Sequence, residues 1–354
     1  MKHHRVVVWL CAALFSLVSL GWTLTAPIPD APGAVRSTPL ADVVTYTLFM
    51  PLLANHPAPV APSDDWLGAL NYYRALADLP PVARATAYLP PEEYPGMAGV
   101  DPNEACRKHT RYMVKTQTAT HNEDLASPWY TREGSTSAAS SVLLLHFDAS
   151  LTDGQGLAYW IATPFHLIGA MGLASTHAAF GSYRERGYAY PAAFALTSFS
   201  PELRVDRSQY PPGVRLPVTF PRDGGYTPVL AFWGETPDPL GYCPGYSAPA
   251  GPVTWIAFGH FSITRRYIQR VDAVSFHENG QPRDFCLLRC TYGDARAYLC
   301  TYEHLMLLPR HPLTPGARYT ASVTVTFSPL CEEVYCGPDW SETHTWSFDA
   351  VKFE

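Results

Sequence analysis

The chain has 354 residues, 47% of them hydrophobic and 16% charged, with a formal charge of −6 at pH 7. That length predicts two domains behind a leader, with enough apolar material for real cores. The acidic balance, with no Lys/Arg cluster beyond pairs such as Arg265-Arg266, argues against a nucleic-acid partner.

Lys2, His3, His4 and Arg5 open the chain with positive charge, and Val6 to Leu20 follow as an almost unbroken apolar run. This is the pattern of an export signal over residues 1–26, with small residues around Thr25-Ala26 for cleavage. The run is about 15 residues, whereas a membrane span needs roughly 20. An uncleaved leader is the alternative, and is the sole membrane association the sequence offers. Residues 27–62 carry Pro27, Pro29, Pro32, Pro39, Pro51, Pro57, Pro59 and Pro62 without a steady period, which predicts an extended linker. Within it, Tyr46 to Leu53 is apolar enough for a short docked strand.

Ser63-Asp64-Asp65 marks a helix start, and Trp66, Leu70, Tyr73 and Ala77 recur at helical spacing until Pro80-Pro81. Asp101-Pro102-Asn103-Glu104 starts a second helix, with a cap acid, proline at the first position and glutamate at the third. Cys106, His109, Thr110, Met113 and Gln117 share one face of it. Further helices are expected over Ser135–Phe147 and Gly156–Thr163, the latter stopped by Pro164. Phe180–Thr197 reads as strands. Beyond about residue 200 the helical signals fade. Arg318–Phe327 and His344–Asp349 alternate as strands, and turns such as Ala250-Gly251-Pro252 separate the shorter ones. A β-sandwich over 205–354 follows.

Six cysteines (Cys243, Cys286, Cys290, Cys300, Cys331, Cys336) lie in that C-terminal region. They read as the disulfide set of an exported domain, with Cys331–Cys336 the expected short loop. The alternative is that Cys286-x-x-x-Cys290 is half of a zinc site. Cys106 reads as a small buried hydrophobe.

The polar candidates are four. His109 lies on the apolar face of the second helix, as a core residue or a ligand. His121 and Glu123 are two apart, so in an extended segment both face one way. They are either cleft residues or a hydrogen-bonded loop pair. His166 follows Pro164, either at the mouth of a groove or capping a helix end. Together they can hold Zn²⁺ or set a histidine for acid/base work. HExxH, GxSxG, Walker and GxGxxG patterns are absent from the sequence, so no motif indicates catalysis.

The order of these features resembles bacterial CAP domains, of the cysteine-rich secretory protein, antigen 5 and pathogenesis-related class. The residues that carry it are Asn71-Tyr72-Tyr73-Arg74, then Cys106-Arg107-Lys108-His109-Thr110-Arg111-Tyr112-Met113, then His121, Gly134, and Trp160 to His166. They are similar to the family's A-x-x-H-x-x-x-M helix, its next histidine and its W-x-x-S-P-x-H-R segment, with Leu167 in the arginine's place. Over residues 63–200 the resemblance implies an α+β fold, an α-β-α sandwich with a central groove. The family places two histidines and two acids there, sometimes with a divalent metal. By motif position His109 and His166 match the histidines and are the candidate metal ligands, with Zn²⁺ the ion. The family's G-x-x-x-E-N segment reads here Gly134-Ser135-Thr136-Ser137-Ala138-Ala139, with alanine in the acid's place; Glu123 is the substitute by position. Residues 205–354 resemble the immunoglobulin-like modules that follow exported bacterial domains, on Leu313 to Thr320 and Thr345-Trp346-Ser347-Phe348.

The resulting expectation is a secreted or cell-surface binding protein, non-catalytic. Its groove would take a small apolar ligand of the lipid or sterol class, or a cell-wall or surface protein partner. The rival is a metal-assisted hydrolase of peptides or cell-wall material, which needs His109, His166 and an acid on one ion.

Overall fold

The computed structural model of the chain describes residues 64–89, 91–200, 210–331, 334–335 and 337–353. The leader, the Pro-rich linker with Tyr46 to Leu53, and Cys336 of the expected Cys331–Cys336 pair lie outside the described residues.

Helix α1, Trp66–Ala75, is capped by Asp65, whose carboxylate accepts from the Gly68 N–H. Helix α2, Pro102–Thr116, is capped by Asp101 with Pro102 at its first position. The reciprocal half of the expected capping box does not form, because the Glu104 carboxylate is bonded to Arg107 one turn on. Gln117 closes α2 in the left-handed conformation, at φ 57.

The expected helix over Ser135–Phe147 splits. Helix α3 is Arg132–Ala138, and Ser141–His146 is a strand. Val142 to Leu145 is a short apolar run that fits either state by periodicity, and pairing with another strand decides it. Pro164 does end Asp153–Ile161 (α4), but it also opens a new helix, α5, Pro164–Met171. Proline fits a first helical turn because its missing N–H has no intrahelical partner there.

Four strands, Ala83–Arg84 (β1), Ser141–His146 (β2), His177–Arg184 (β3) and Ala192–Phe199 (β4), form a sheet in the order β1-β3-β4-β2. The β1–β3 pair is parallel and the others are antiparallel. Both faces are covered. Ala192, Phe194 and Leu196 of β4 pack toward the cluster that holds α1, α4 and α5. Ala193, Ala195 and Phe199 pack toward α2. Successive side chains point to opposite faces, so a strand buried twice reads as an apolar run. Gly181 of β3 lets α2 lie directly on the sheet, since a Cβ there would overlap the backbone of Cys106 and Arg107. The result is an α-β-α sandwich.

The C-terminal region builds two more sheets. The first has the order β10-β11-β7-β5, with Val218–Phe220 (β5), Thr254–Ala257 (β7), Phe285–Arg289 (β10) and His304–Pro309 (β11). The second has the order β6-β14-β12-β8-β9, with β13 beside β12. Its strands are Gly225–Thr227 (β6), Arg266–Glu278 (β8), Gln281–Pro282 (β9), Arg318–Cys331 (β12), Val334–Tyr335 (β13) and Trp340–Ala350 (β14). Ile256, Leu305 and Leu307 of the first sheet meet Val323, Val325, Phe327 and Phe348 of the second, making a β-sandwich core.

The alternate residues Trp255, Ala257, Met306 and Leu308 join the cluster that contains Trp66, Tyr73 and Phe194. One apolar core therefore runs from α1 into the sandwich, and the described residues belong to one compact unit, Met50–Glu354. Arg222 fastens the join, with its N–H on the Leu76 carbonyl and its guanidinium on Asp78.

Disulfides link Cys243 to Cys286 and Cys290 to Cys300. Cys286 and Cys290 thus belong to different bridges and are not half of a zinc site. Such bridges fit an oxidising, extracellular setting. Among the described residues no helix is long and apolar enough to cross a membrane.

Candidate functional site

His109 and Glu123 form a closed pair. Both side chains are 0% exposed. His109 Nδ1 lies 2.9 Å from Glu123 Oε1, and Nε2 lies 2.9 Å from the Thr120 carbonyl. Glu123 Oε2 accepts from the Thr131 N–H at 2.9 Å. Thr131 is the N-cap of α3, so the pair ties α2, the following loop and α3 together. Gly134 leaves room for it, since a Cβ there would overlap Glu123 Oε1. Whichever atom carries the proton between His109 and Glu123, neither ring nitrogen has a lone pair left over.

His121 donates from Nδ1 to the Ala138 carbonyl at 2.8 Å. It and Glu123, two residues apart, both turn toward α3. Burial lowers the His121 pKa, and repulsion from His166 and His109 acts the same way. His121 is therefore within electrostatic reach of both other imidazoles. Cys106 is fully buried; Ser137 donates to its sulfur at 3.1 Å, and burial pushes its thiol pKa up. It is an inert core thiol.

His166 sits in the first turn of α5 and is partly exposed. Its Nδ1 is 2.5 Å from Oε2 of Glu235, whose side chain is buried and which the sequence reading did not single out. Glu235 also accepts the N–H groups of Phe165 at 2.9 Å and His166 at 3.1 Å. Thr163, in the N-cap place, makes no side-chain cap bond, so Glu235 does the capping from the C-terminal region. A carboxylate at a helix N-terminus satisfies orphan donors and complements the dipole. Here it also orients His166 and leaves Nε2 as the one ring nitrogen without an assigned partner. Ala138 is fully buried in α3, where the resemblance implied an acid. Zn²⁺ shared by His109 and His166 does not fit these donors, because His109 has no free nitrogen. Among the described residues no group of three His, Cys, Asp or Glu side chains is placed to hold an ion.

A second candidate is a half-open cavity of about 610 Å³ at the surface of the sandwich. Five consecutive residues of β8, Tyr267 to Val271, line it. A regular strand cannot turn successive side chains to one side. Register shifts opposite β8, between Thr324 and Val325 and between Thr326 and Phe327, place bulges at Asp272 and Gln269. Bulges of this kind re-aim side chains.

Glu303 and His304 stand at the wall. Glu303 is 9% exposed, with φ 49. Its Oε2 accepts from the Ile268 N–H at 3.0 Å, and burial pushes its carboxyl up to about 7. His304 Nδ1 accepts from the Trp255 indole N–H at 2.7 Å, which places its proton on Nε2, where it finds no partner. Burial lowers the His304 pKa to about 3, so the ring is neutral at ordinary pH. No spacing or composition marks Glu303 in the sequence; its desolvation exists only in the folded chain.

Unfolded, Glu303 loses its proton near 4.5; folded, it keeps it to about 7. Its contribution to stability is fully present below the unfolded value and is lost as pH rises through about 7. Glu303→Gln should therefore gain about 2–3 kcal/mol at about pH 8 and little at about pH 4. Urea midpoints at the two pH values check this; equal midpoints at the higher pH would contradict it.

Comparison with protein-family models gives no match, and comparison with curated proteins gives none either.

Proposed function

We propose that this is an exported, non-catalytic binding protein, in which a CAP-like α-β-α layer serves as scaffold and the sandwich cavity takes a small ligand. The observation that carries the reading is the closure of His109 on Glu123 and Thr120. A histidine with both nitrogens engaged offers no lone pair to an ion or a substrate. The cavity has the opposite character. Its volume of about 610 Å³ is that of a ligand site, and its walls are mostly apolar and aromatic with a few polar groups. The disulfides support export, and three layers with His109 and His166 on helices support the CAP resemblance. The two facing sheets support the immunoglobulin-like reading of the C-terminal region.

Nile red, a neutral dye that brightens in apolar surroundings, tests the reading. The wild-type chain should take it up saturably, one per chain. Val271→Trp, which fills the cavity from a partly exposed position, should lose that uptake at an unchanged urea midpoint. No uptake, or uptake indifferent to Val271→Trp, sinks the proposal. The rival hydrolase reading draws on the oriented His166–Glu235 pair. Metal-stimulated cleavage of peptides or cell-wall material, abolished by His166→Ala, would establish it instead.

A further inference from the structure

We propose that the sandwich cavity binds an organic ammonium ion, with the positive charge seated against Glu303. This rests on the reading of the cavity as a ligand site and adds the chemistry of the ligand. Glu303 is nine-tenths buried and lines the cavity, yet its assigned donor is one backbone N–H, from Ile268. Among the described residues no cation pairs with it. Arg270 and Arg289 line the same space, but the Arg270 guanidinium is engaged by Asp272 and Thr326, and Arg289 is exposed and makes no ion pair with Glu303. A carboxylate removed from water is costly unless a cation or several donors compensate it. The fold supplies neither, and a ligand can.

The rest of the wall suits an organic cation over a metal ion. Calcium and magnesium require several oxygen ligands, and among the described residues Glu303 is the one acid that lines the cavity. Aromatic rings are present instead. Phe261, Tyr267 and Tyr292 line the space, and Tyr292 is 82% exposed at its rim. Ring faces attract ammonium groups, and a substituted ammonium also buries its methyl or methylene surface against them. Tyr267 and Ile268, next to the bulge at Gln269, both line the cavity. That arrangement sets an aromatic ring beside the residue whose N–H holds Glu303.

The charged and titratable groups facing Glu303 are few. Among the described residues, Tyr267 and Arg270 come from β8, Arg289 and Tyr292 from β10 and the loop after it, and His304 from the start of β11, next to Glu303. His304 is neutral above about pH 3. Tyrosine and arginine ordinarily titrate well above pH 8. Between about pH 5 and pH 8 Glu303 is therefore the group that changes charge, and a bound cation should favour its ionised form.

Calorimetry on the full chain with choline and its uncharged isostere 3,3-dimethyl-1-butanol tests the proposal. At about pH 8 choline should bind about tenfold more tightly than the alcohol. That preference should fall away at about pH 5, where Glu303 holds its proton. Glu303→Gln, which keeps the acceptor for Ile268, should abolish it at both pH values. Equal binding of the two compounds, choline binding unchanged in Glu303→Gln, or no choline binding overturns the inference. If Nile red uptake is meanwhile intact in the wild type and lost in Val271→Trp, the ligand-site reading stands and the cation alone is wrong. If that uptake also fails, both fall.

Discussion

Replacing Arg74 with methionine should cost about 3–5 kcal/mol of folding stability, more than removing any exposed ion pair in the molecule. Arg74 is fully buried on α1. Its Nε donates to the Pro80 carbonyl at 2.8 Å, Nη1 to Met171 at 2.7 Å and Gly172 at 3.1 Å, and Nη2 to Ser175 at 3.3 Å. Among the described residues no carboxylate pairs with the guanidinium. It sits instead at the C-terminal end of α5, where free carbonyls carry the negative end of the helix dipole. Burial lowers its pKa to about 10, which leaves it charged at neutral pH. Replacing a buried ion pair by an apolar residue can be neutral, because both charges go at once. Here only the donor goes, and four carbonyls lose it at once. Lysine has no planar fork and cannot reach all four, so Arg74→Lys should fall between. Urea midpoints of both variants check the order. An Arg74→Met chain with the parent's midpoint would remove the role assigned here. The same geometry explains the Asn71-to-Arg74 segment that carries part of the CAP resemblance. Asn71 bonds both the N–H and the carbonyl of Val82, so both residues of that segment brace the chain after α1.

What the sequence made legible was local. Asp65 and Asp101 cap helices through residues two and three positions on, a range over which spacing alone carries the physics. His109, His121 and Glu123 fall within fifteen residues, and they do come together around the start and end of α3. Beyond that range the reading failed for identifiable reasons. Val142 to Leu145 could be placed only by its partner β4, and β4 itself shows no alternation because both of its faces are buried. Glu235 meets His166 from 69 residues away, and it caps a helix whose start was read as a stop. The family pattern pointed to an acid at Ala138; Glu235, which it did not place, is the acid on His166. Glu303 depends on two bulges and on a wall of residues from four strands, none of which leaves a periodic trace.

The sharpest separation between a brace and a reactive centre is at Glu123. If the His109–Glu123 pair is structural, its removal is read in stability. Glu123→Ala would leave His109 Nδ1 and the Thr131 N–H buried without partners, at a cost of about 3–5 kcal/mol. Glu123→Gln keeps an oxygen for Thr131 and a polar group against the imidazole, so it should cost about 1–2 kcal/mol. His109→Ala alone strands Glu123 in the same way. The His109→Ala, Glu123→Ala double variant should therefore be less damaging than the sum of the two single changes, because neither polar group is then left facing a lost partner. Urea unfolding of the four proteins gives the coupling directly. A reactive pair predicts a different outcome, in which the single variants fold with parental stability and lose a function. Additive, small stability losses at both positions would mean that the closed geometry does not hold α2 to α3. The polar centre would then be open to the acid/base role that its present hydrogen bonds deny it.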